Sequence, residues 1–397
     1  MYYFSLLSPL QDKIKNLLPL FKVYKLSLFQ IFIIILYKFR INLGLRFNLT
    51  TIDKNTLKNS TSPAPYGIGI EANKFSSTNI KRLLYSHNGT QLNNSNFQLG
   101  PYLAGLIEGD GTIAVQNTDN ISKLSAGQIY NPKIIIVFKK SDLPLATYLK
   151  NLTNSGQILI KPERGYVLWQ IQDIVSIFTI LSIINEYMRT PKYEAKNRAI
   201  DWLNQYIVKN SNSKLPSTIN ILSKIHNLEI KPLDTSPIES NSWLSGFSDA
   251  DANFSINIHK RSNKNSTRVQ LYYRLEIKQN YHITDHEGNK ASFYPLMSQL
   301  GMYLGVTVHS RSRLIKDKYF HSFTVISQNK NSNLKITDYF DKFPLLSSKY
   351  LDYKDWAFIL KLQNSNPITT SYLDKALKIR TDFNSTRTTF NWNHLNL

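Results

Sequence analysis

The sequence predicts a mixed α/β (α+β) fold built as two similar halves, each running helix–strand–strand–helix–strand–strand–helix. Three observations point there. A nine-residue segment occurs twice, each copy is followed at once by a strand-like stretch, and the segments beyond switch between a period of two and a period near 3.6 residues. A chain of 397 residues with 42% hydrophobic content can bury cores of that size.

The repeated segments are Leu103-Ala-Gly-Leu-Ile-Glu-Gly-Asp110-Gly111 and Leu244-Ser-Gly-Phe-Ser-Asp-Ala-Asp251-Ala252. Both have Leu first, Gly third, an acid sixth, a small residue seventh and Asp eighth. As helices they carry an apolar stripe, Leu103, Leu106 and Ile107 at i, i+3 and i+4 in the first copy. Gly105 and Gly109 lie four apart on another face, matched by Gly246 and Ala250. Small residues so spaced let two backbones approach closely. The helices are therefore expected to pack on each other, with Asp110 and Asp251 side by side at their C-terminal ends. Those ends already carry partial negative charge and orphan carbonyls, so two added carboxylates repel. A divalent cation such as Mg²⁺, which takes carboxylate, carbonyl and water oxygens, relieves that conflict. Expected ligands are Asp110 and Asp251, with the main-chain carbonyls of Gly109 and Ala250.

Strands are expected at Thr112–Gln116, Ile134–Lys139 and Tyr166–Gln172 in the first half. The second half has Asn253–His259, Val269–Lys278, Val306–Arg313 and Phe320–Ser327. In Val269–Lys278, Val269, Leu271, Tyr273, Leu275 and Ile277 alternate with Gln270, Tyr272, Arg274, Glu276 and Lys278, giving one dry face and one wet face. Leu168 interrupts the wet face of the first half. Helices are expected at Leu143–Leu152, Ile174–Tyr187, Lys192–Ile207, Tyr294–Leu304 and Leu334–Phe340. The wet faces supply Gln116, Gln170, Gln172, Asn257, His259, Gln270, Tyr272, Arg274, Lys278, Arg311 and Arg313, types suited to base edges in a major groove. Gln279, Lys330, Lys139 and Lys140 are candidates to support the site from nearby strand ends.

The paired segments resemble the motifs of LAGLIDADG homing endonucleases of the double-motif, single-chain type encoded in organellar introns. The first copy keeps seven of the nine letters, departing at Glu108 and Gly109, and the second keeps five, departing at Ser245, Phe247, Ser248 and Ala252. The resemblance spans about Phe97 to Arg387. It implies two halves related by a pseudo-two-fold axis, forming a saddle with antiparallel DNA-binding sheets. It makes the eighth-position acids, here Asp110 and Asp251, the catalytic metal-binding residues. It implies a Mg²⁺-dependent, staggered double-strand cut with 3′ overhangs in double-stranded DNA, and a mitochondrial location. Because the halves differ, the target should be asymmetric. The alternative is an RNA maturase that binds its host intron and assists splicing; retention of both aspartates favours the nuclease. A double motif in one chain suggests a monomer, with no small-molecule cofactor.

Composition narrows the partners. The formal charge is +21, which favours polyanions. The absence of cysteine excludes disulfide scaffolds, thiol nucleophiles and Cys-ligated metals. The expected organisation is 1–96 as a basic, partly apolar extension and linker, 97–209 and 243–385 as the halves, 210–242 as a polar interdomain linker and 386–397 as a frayed tail. Lys13–Ile52 contains no acid, and its apolar run Leu26–Tyr37 is short for a membrane span. His282-x-x-Asp285-His286 has metal-ligand spacing but reads as a polar loop.

Overall fold

A computed structural model describes residues 98–116, 130–260, 267–285, 287–365 and 370–395. The expected extension 1–96, with Lys13–Ile52, and His286 lie outside them. Among the described residues no helix is long and apolar enough to cross a membrane.

The first half runs α1 (Leu99–Asp110), β1 (Gly111–Ala114), β2 (Lys133–Lys139), α2 (Leu143–Thr153), β3 (Gln157–Lys161), β4 (Tyr166–Ile171), α3 (Ile174–Ile184) and α4 (Tyr193–Asn210). A short helix α5 (Pro216–Leu222) lies in the connector. The second half runs α6 (Trp243–Asp251), β5 (Ala252–Lys260), β6 (Thr267–Lys278), a ribbon of β7 (Asn280–Thr284) and β8 (Lys290–Ser292), α7 (Tyr294–Leu304), β9 (Val308–Ile315), β10 (Lys318–Ser327), α8 (Lys330–Lys342), α9 (Lys349–Ser365) and α10 (Thr370–Thr381).

Each half carries a four-stranded antiparallel sheet, in the order β1-β2-β4-β3 and β5-β6-β10-β9. The dry faces are continuous: Ile134, Ile136, Phe138, Val167, Trp169 and Ile171 in the first sheet, Leu271, Tyr273, Leu275, Ile277 and Val325 in the second. Helices cover those faces. Buried Tyr353, Trp356, Ile359 and Leu360 on α9 fall at i, i+3, i+6 and i+7, one helical face turned to the core. Each such side chain contributes about 1.5–3 kcal/mol of burial free energy.

α1 and α6 form the centre. Cβ atoms on Gly105 and Gly246 would lie 2.1 Å from Trp243 O and 1.9 Å from Tyr102 O. Only hydrogen fits at that crossing, so either substitution forces the helices apart. Proline within the first turn of α1, Pro101, costs no helical hydrogen bond.

Besides the added helices α5, α9 and α10, four features differ from the sequence expectation. The segment containing His282 forms the β7–β8 ribbon, because the run Asn280–Thr284 pairs with Lys290–Ser292 across a turn at Gly288 (φ +84°). β3 also forms, paired with β4 from Gln157↔Gln170 to Lys161↔Tyr166. The connector is stitched to the first half: Asn204 exchanges two 2.9 Å hydrogen bonds with Leu228, and Asn185 Nδ2 donates to Glu229 O at 2.7 Å. The C-terminal residues dock rather than fray. Arg387 pairs with Asp352 and Asp355, His394 stacks on Tyr350 at 4.2 Å, and Leu395 is buried.

Candidate active site

The C-terminal ends of α1 and α6 meet. A Cβ on Gly109 would lie 2.2 Å from the Ala250 Cβ and 3.3 Å from Asp251 Oδ2, so Asp251 reaches over the end of the neighbouring helix. Burial raises the carboxyl pKa of Asp110, opposed by the ammonium groups of Lys349, Lys192 and Lys139. Asp251 is pushed up to about 6, first by burial and next by the charge of Asp110, against Lys349, Lys192 and Lys278. Two carboxyls are held together in a partly desolvated place where both resist ionisation.

Two lysines complete each helix end. Lys192 Nζ donates to the carbonyls of Ile107 (3.0 Å), Gly109 (3.3 Å) and Gly111 (2.8 Å). Lys349 Nζ donates to those of Ser248 (3.0 Å) and Ala250 (2.8 Å). Both satisfy orphan carbonyls and place a cation at the negative end of the helix dipole. Burial pulls Lys192 down to about 8 and lowers Lys349 as well.

The sixth-position acids hold the loops that carry these lysines. Buried Glu108 accepts the backbone N–H groups of Arg189 (2.9 Å) and Thr190 (2.6 Å), the Thr190 hydroxyl (2.6 Å) and the indole N–H of Trp243 (2.6 Å). Buried Asp249 accepts the backbone N–H groups of Leu346 (2.8 Å) and Ser347 (3.2 Å), the Ser347 hydroxyl (2.5 Å) and the Tyr102 hydroxyl (2.7 Å). Burial raises both carboxyl pKa values, and the donors lower them again. Each acid thus fixes the residues just before its own half's lysine and takes one bond from the opposite half. Asp142 adds another crossing, accepting Ser348 N–H at 2.8 Å.

Two further lysines stand at equivalent strand ends. Lys139 closes β2 and acts on Asp110; Lys278 closes β6 and acts on Asp251. Lys278 also lies 5.6 Å from the Tyr281 ring and 5.9 Å from that of Phe293, so one side of it is flanked by aromatic rings. Its pKa is lowered by burial.

The other sequence candidates scatter. Lys330, expected to support the site, stands away from the two aspartates. It opens α8 beyond Ser327, whereas Lys278 pairs with Ser322 five residues back along β10, about 16 Å at strand spacing. The far end of β10 is not the equivalent of the near end of β2. Lys140 lies exposed in a 3₁₀ turn, Lys140–Asp142, and the Gln279 side chain donates to Ser310 Oγ at 2.7 Å, toward β9. Gln116 lies past the end of β1, and its side-chain oxygen accepts Tyr130 N–H at 2.7 Å. Gln170 donates to Gln172 at 2.8 Å. Asn257 and His259 stand opposite Gln270 and Arg268, on the sheet face that carries Tyr272, Arg274 and Lys278. Arg311 and Arg313 both reach the Glu276 carboxylate.

Lys192 and Lys349 are absent from the sequence candidates. Their signal is a second, weaker repeat: a Lys-Tyr pair two residues after a hydroxyl residue, Thr190-Pro-Lys192-Tyr193 and Ser347-Ser-Lys349-Tyr350, opening a long helix each time.

Hard oxygen donors predominate at the helix ends. Among the described residues no group of three or more His, Asp or Glu could hold a metal. A pair of carboxylates suits a cation that keeps much of its water, as Mg²⁺ does. The carbonyls of Gly109 and Ala250 each give one lone pair to a lysine and retain a second.

A family model described as "LAGLIDADG endonuclease" matches residues 103–203 and 244–360. An "intron-encoded DNA endonuclease aI3" of Saccharomyces cerevisiae is 44% identical over 310 residues, covering 75% of this chain and 72% of that protein. An uncharacterized cox1 intron-2 protein of Schizosaccharomyces pombe is 30% identical over 285 residues, 71% of each. Among solved structures, the meganuclease I-SmaMI bound to uncleaveable DNA is similar with a TM-score of 0.51 at 20% identity, covering 74% of this chain and 99% of that one. Its complex with cleaved DNA also gives 0.51, at 22% identity, over 74% and 100%. At those identities the likeness speaks to the fold, the two-half α/β saddle.

Proposed function

The chain belongs to the LAGLIDADG endonuclease family, and on that premise we propose that it is a homing endonuclease making a staggered double-strand cut in one asymmetric DNA site. The observation that carries the reading is the pairing of Asp110 and Asp251, one from each half, within a ring of four lysines. Asp110 and Asp251 are the metal-binding residues of this reading, with the second lone pairs of Gly109 and Ala250 carbonyls as further ligands. Mg²⁺ is the proposed ion. Bound there, it would polarise a phosphodiester oxygen and make water a stronger nucleophile.

The chain's own groups do the rest. Asp110 and Asp251, both ionised, orient water toward the phosphate. Lys192 and Lys349 keep the helix ends from repelling the incoming polyanion and balance charge as the phosphate becomes more negative. Lys139 and Lys278 stand one on each side, as a two-strand cut requires. Both halves lie in one chain, so a monomer holds the whole site. The intron-encoded relatives, one of them named for a cox1 intron, support a mitochondrial setting.

The test uses the full-length protein, Mg²⁺ and DNA spanning the intron-free junction of its host gene. Wild type should cut, and Asp110→Asn and Asp251→Asn should not. If both variants cut like wild type, the site assignment is wrong. If DNA stays intact while intron RNA is bound and spliced, the protein is a maturase instead.

A further inference from the structure

We infer that the two halves read chemically different DNA: thymine-rich sequence under the first sheet and guanine-bearing sequence under the second. The inference rests on the DNA-cleaving function proposed above.

Strand register makes the two DNA-side faces comparable row by row. In the first sheet Lys139 stands beside Tyr166 and Lys161. The next row outward is Val137–Leu168–Leu159, and the next is Thr112–Ile135–Gln170–Gln157. Four of those seven side chains, Val137, Leu168, Leu159 and Ile135, are apolar. None belongs to the core or packs against it, and Val137 is 41% exposed. The core side of the same strands is separately filled by Ile136, Phe138, Val167 and Trp169. The first sheet therefore carries an aliphatic patch on its DNA-side face as well, bordered by Lys139, Tyr166 and Gln170.

In the second sheet the row beginning at Lys278 continues through Ser322 to Arg311, and the next is Glu276–Thr324–His309. Glu276 takes the place that Val137 holds in the first half. Its carboxylate accepts Ser322 Oγ at 2.7 Å, ion-pairs with Arg313 and lies 3.8 Å from Arg311. Two guanidinium groups are thus gathered over this face before any ligand arrives.

Base chemistry assigns the occupants. The thymine C5-methyl is the apolar group that a major groove displays, and a row of aliphatic side chains offers nothing to hydrogen-bond a guanine or cytosine edge. Arginine matches guanine O6 and N7 bidentately, and a carboxylate behind it fixes the fork. The apolar row is continuous with the Lys139 row beside Asp110, which places it against the nucleic acid that enters the site.

The test selects preferred sites for the full-length protein from a random-sequence duplex library, then rescans the winner with deoxyuridine for each thymidine and 7-deazaguanine for each guanine. Deoxyuridine removes only the methyl group, so each contacted thymine should lose about fourfold in affinity, the worth of one buried carbon. That loss should occur in one half-site and flatten in Leu168→Thr. The 7-deazaguanine losses should fall in the other half-site and flatten in Arg311→Ala or Arg313→Ala. A selected site whose deoxyuridine scan is flat, or whose methyl-sensitive positions do not respond to Leu168→Thr, overturns this inference and leaves the nuclease standing. Recovery of no preferred sequence overturns the nuclease reading itself.

Discussion

The first and second halves agree where the helices meet and diverge where the sheets face outward. Lys192 and Lys349 cap equivalent helix ends, Glu108 and Asp249 grip equivalent loops, and Lys139 and Lys278 close equivalent strands. One row further out, valine and leucine in the first half face glutamate and threonine in the second. The second half also inserts the β7–β8 ribbon where the first has a 3₁₀ turn at Lys140–Asp142. Chemistry shared by both strands of a duplex constrains the two centres to match. A sequence that differs from left to right imposes no such constraint on the reading faces.

The agreement at the centre can be broken directly. Asp110→Asn or Asp251→Asn should each lower cleavage at least about 10³-fold while leaving DNA binding within a few-fold, measured by single-turnover assay and by titration. Loss of both strand cuts in either variant means the halves share one metal-binding centre. Clean nicking of one strand would show two independent centres.

Lys192→Met and Lys349→Met come next, at about 10²–10³-fold in rate. Equal losses, each with nicked DNA accumulating, would extend the equivalence of the halves to the lysines. No change in either rate would reduce them to structural caps. Lys192 is held near 8, so wild type should also lose this cation's contribution as pH climbs through that value.

A third measurement concerns protons. Asp251 titrates near 6 in the folded, metal-free protein, against about 3.8 when unfolded. Between those values the folded state binds more protons, so this group's contribution to stability falls as pH rises from about 4 to 6. Mg²⁺ should offset that loss, and its binding should release a proton below about pH 6, with affinity dropping roughly tenfold per pH unit there. Calorimetry in buffers of different ionisation heat reads the release. Asp251→Asn should abolish it and raise the metal-free melting temperature.

Smallest is the cross-half clip. Trp243→Phe removes one donor from buried Glu108 and should cost about 1–3 kcal/mol in urea unfolding. Tyr102→Phe should do the same at Asp249. A large difference between the two would mean that the clips are not equivalent.

The legible part of the molecule was local in sequence. The motif helices, five of the other helices and most strands announce themselves through period and through glycine spacing. Lys192 and Lys349 do not, because each lies more than eighty residues from the helix end it caps, and a single lysine before a helix is ordinary. The β7–β8 ribbon was hidden because Tyr281 and Ile283 alternate with polar residues over only five positions and the partner strand, Lys290–Ser292, is short and wholly exposed. The helix at Lys349–Ser365 had a readable stripe, Tyr353, Trp356, Ile359 and Leu360, and was missed all the same. Lys330 shows the opposite error: it opens α8 after β10 as Ile174 opens α3 after β4, whereas Lys278 and Lys139 stand at the ends of β6 and β2.

The close crossing at Gly105 and Gly246 has a consequence for engineering. A joint made of bare backbone accepts any partner helix with the same gap in its side chains, so it acts as a common socket through which halves of related chains could be exchanged. The bonds around it act as keys. A hybrid must import an indole donor for Glu108, a phenol for Asp249 and a carboxylate for the Ser348 amide, or the exchanged half will seat with one donor missing from each buried carboxylate and the Ser348 amide unpaired.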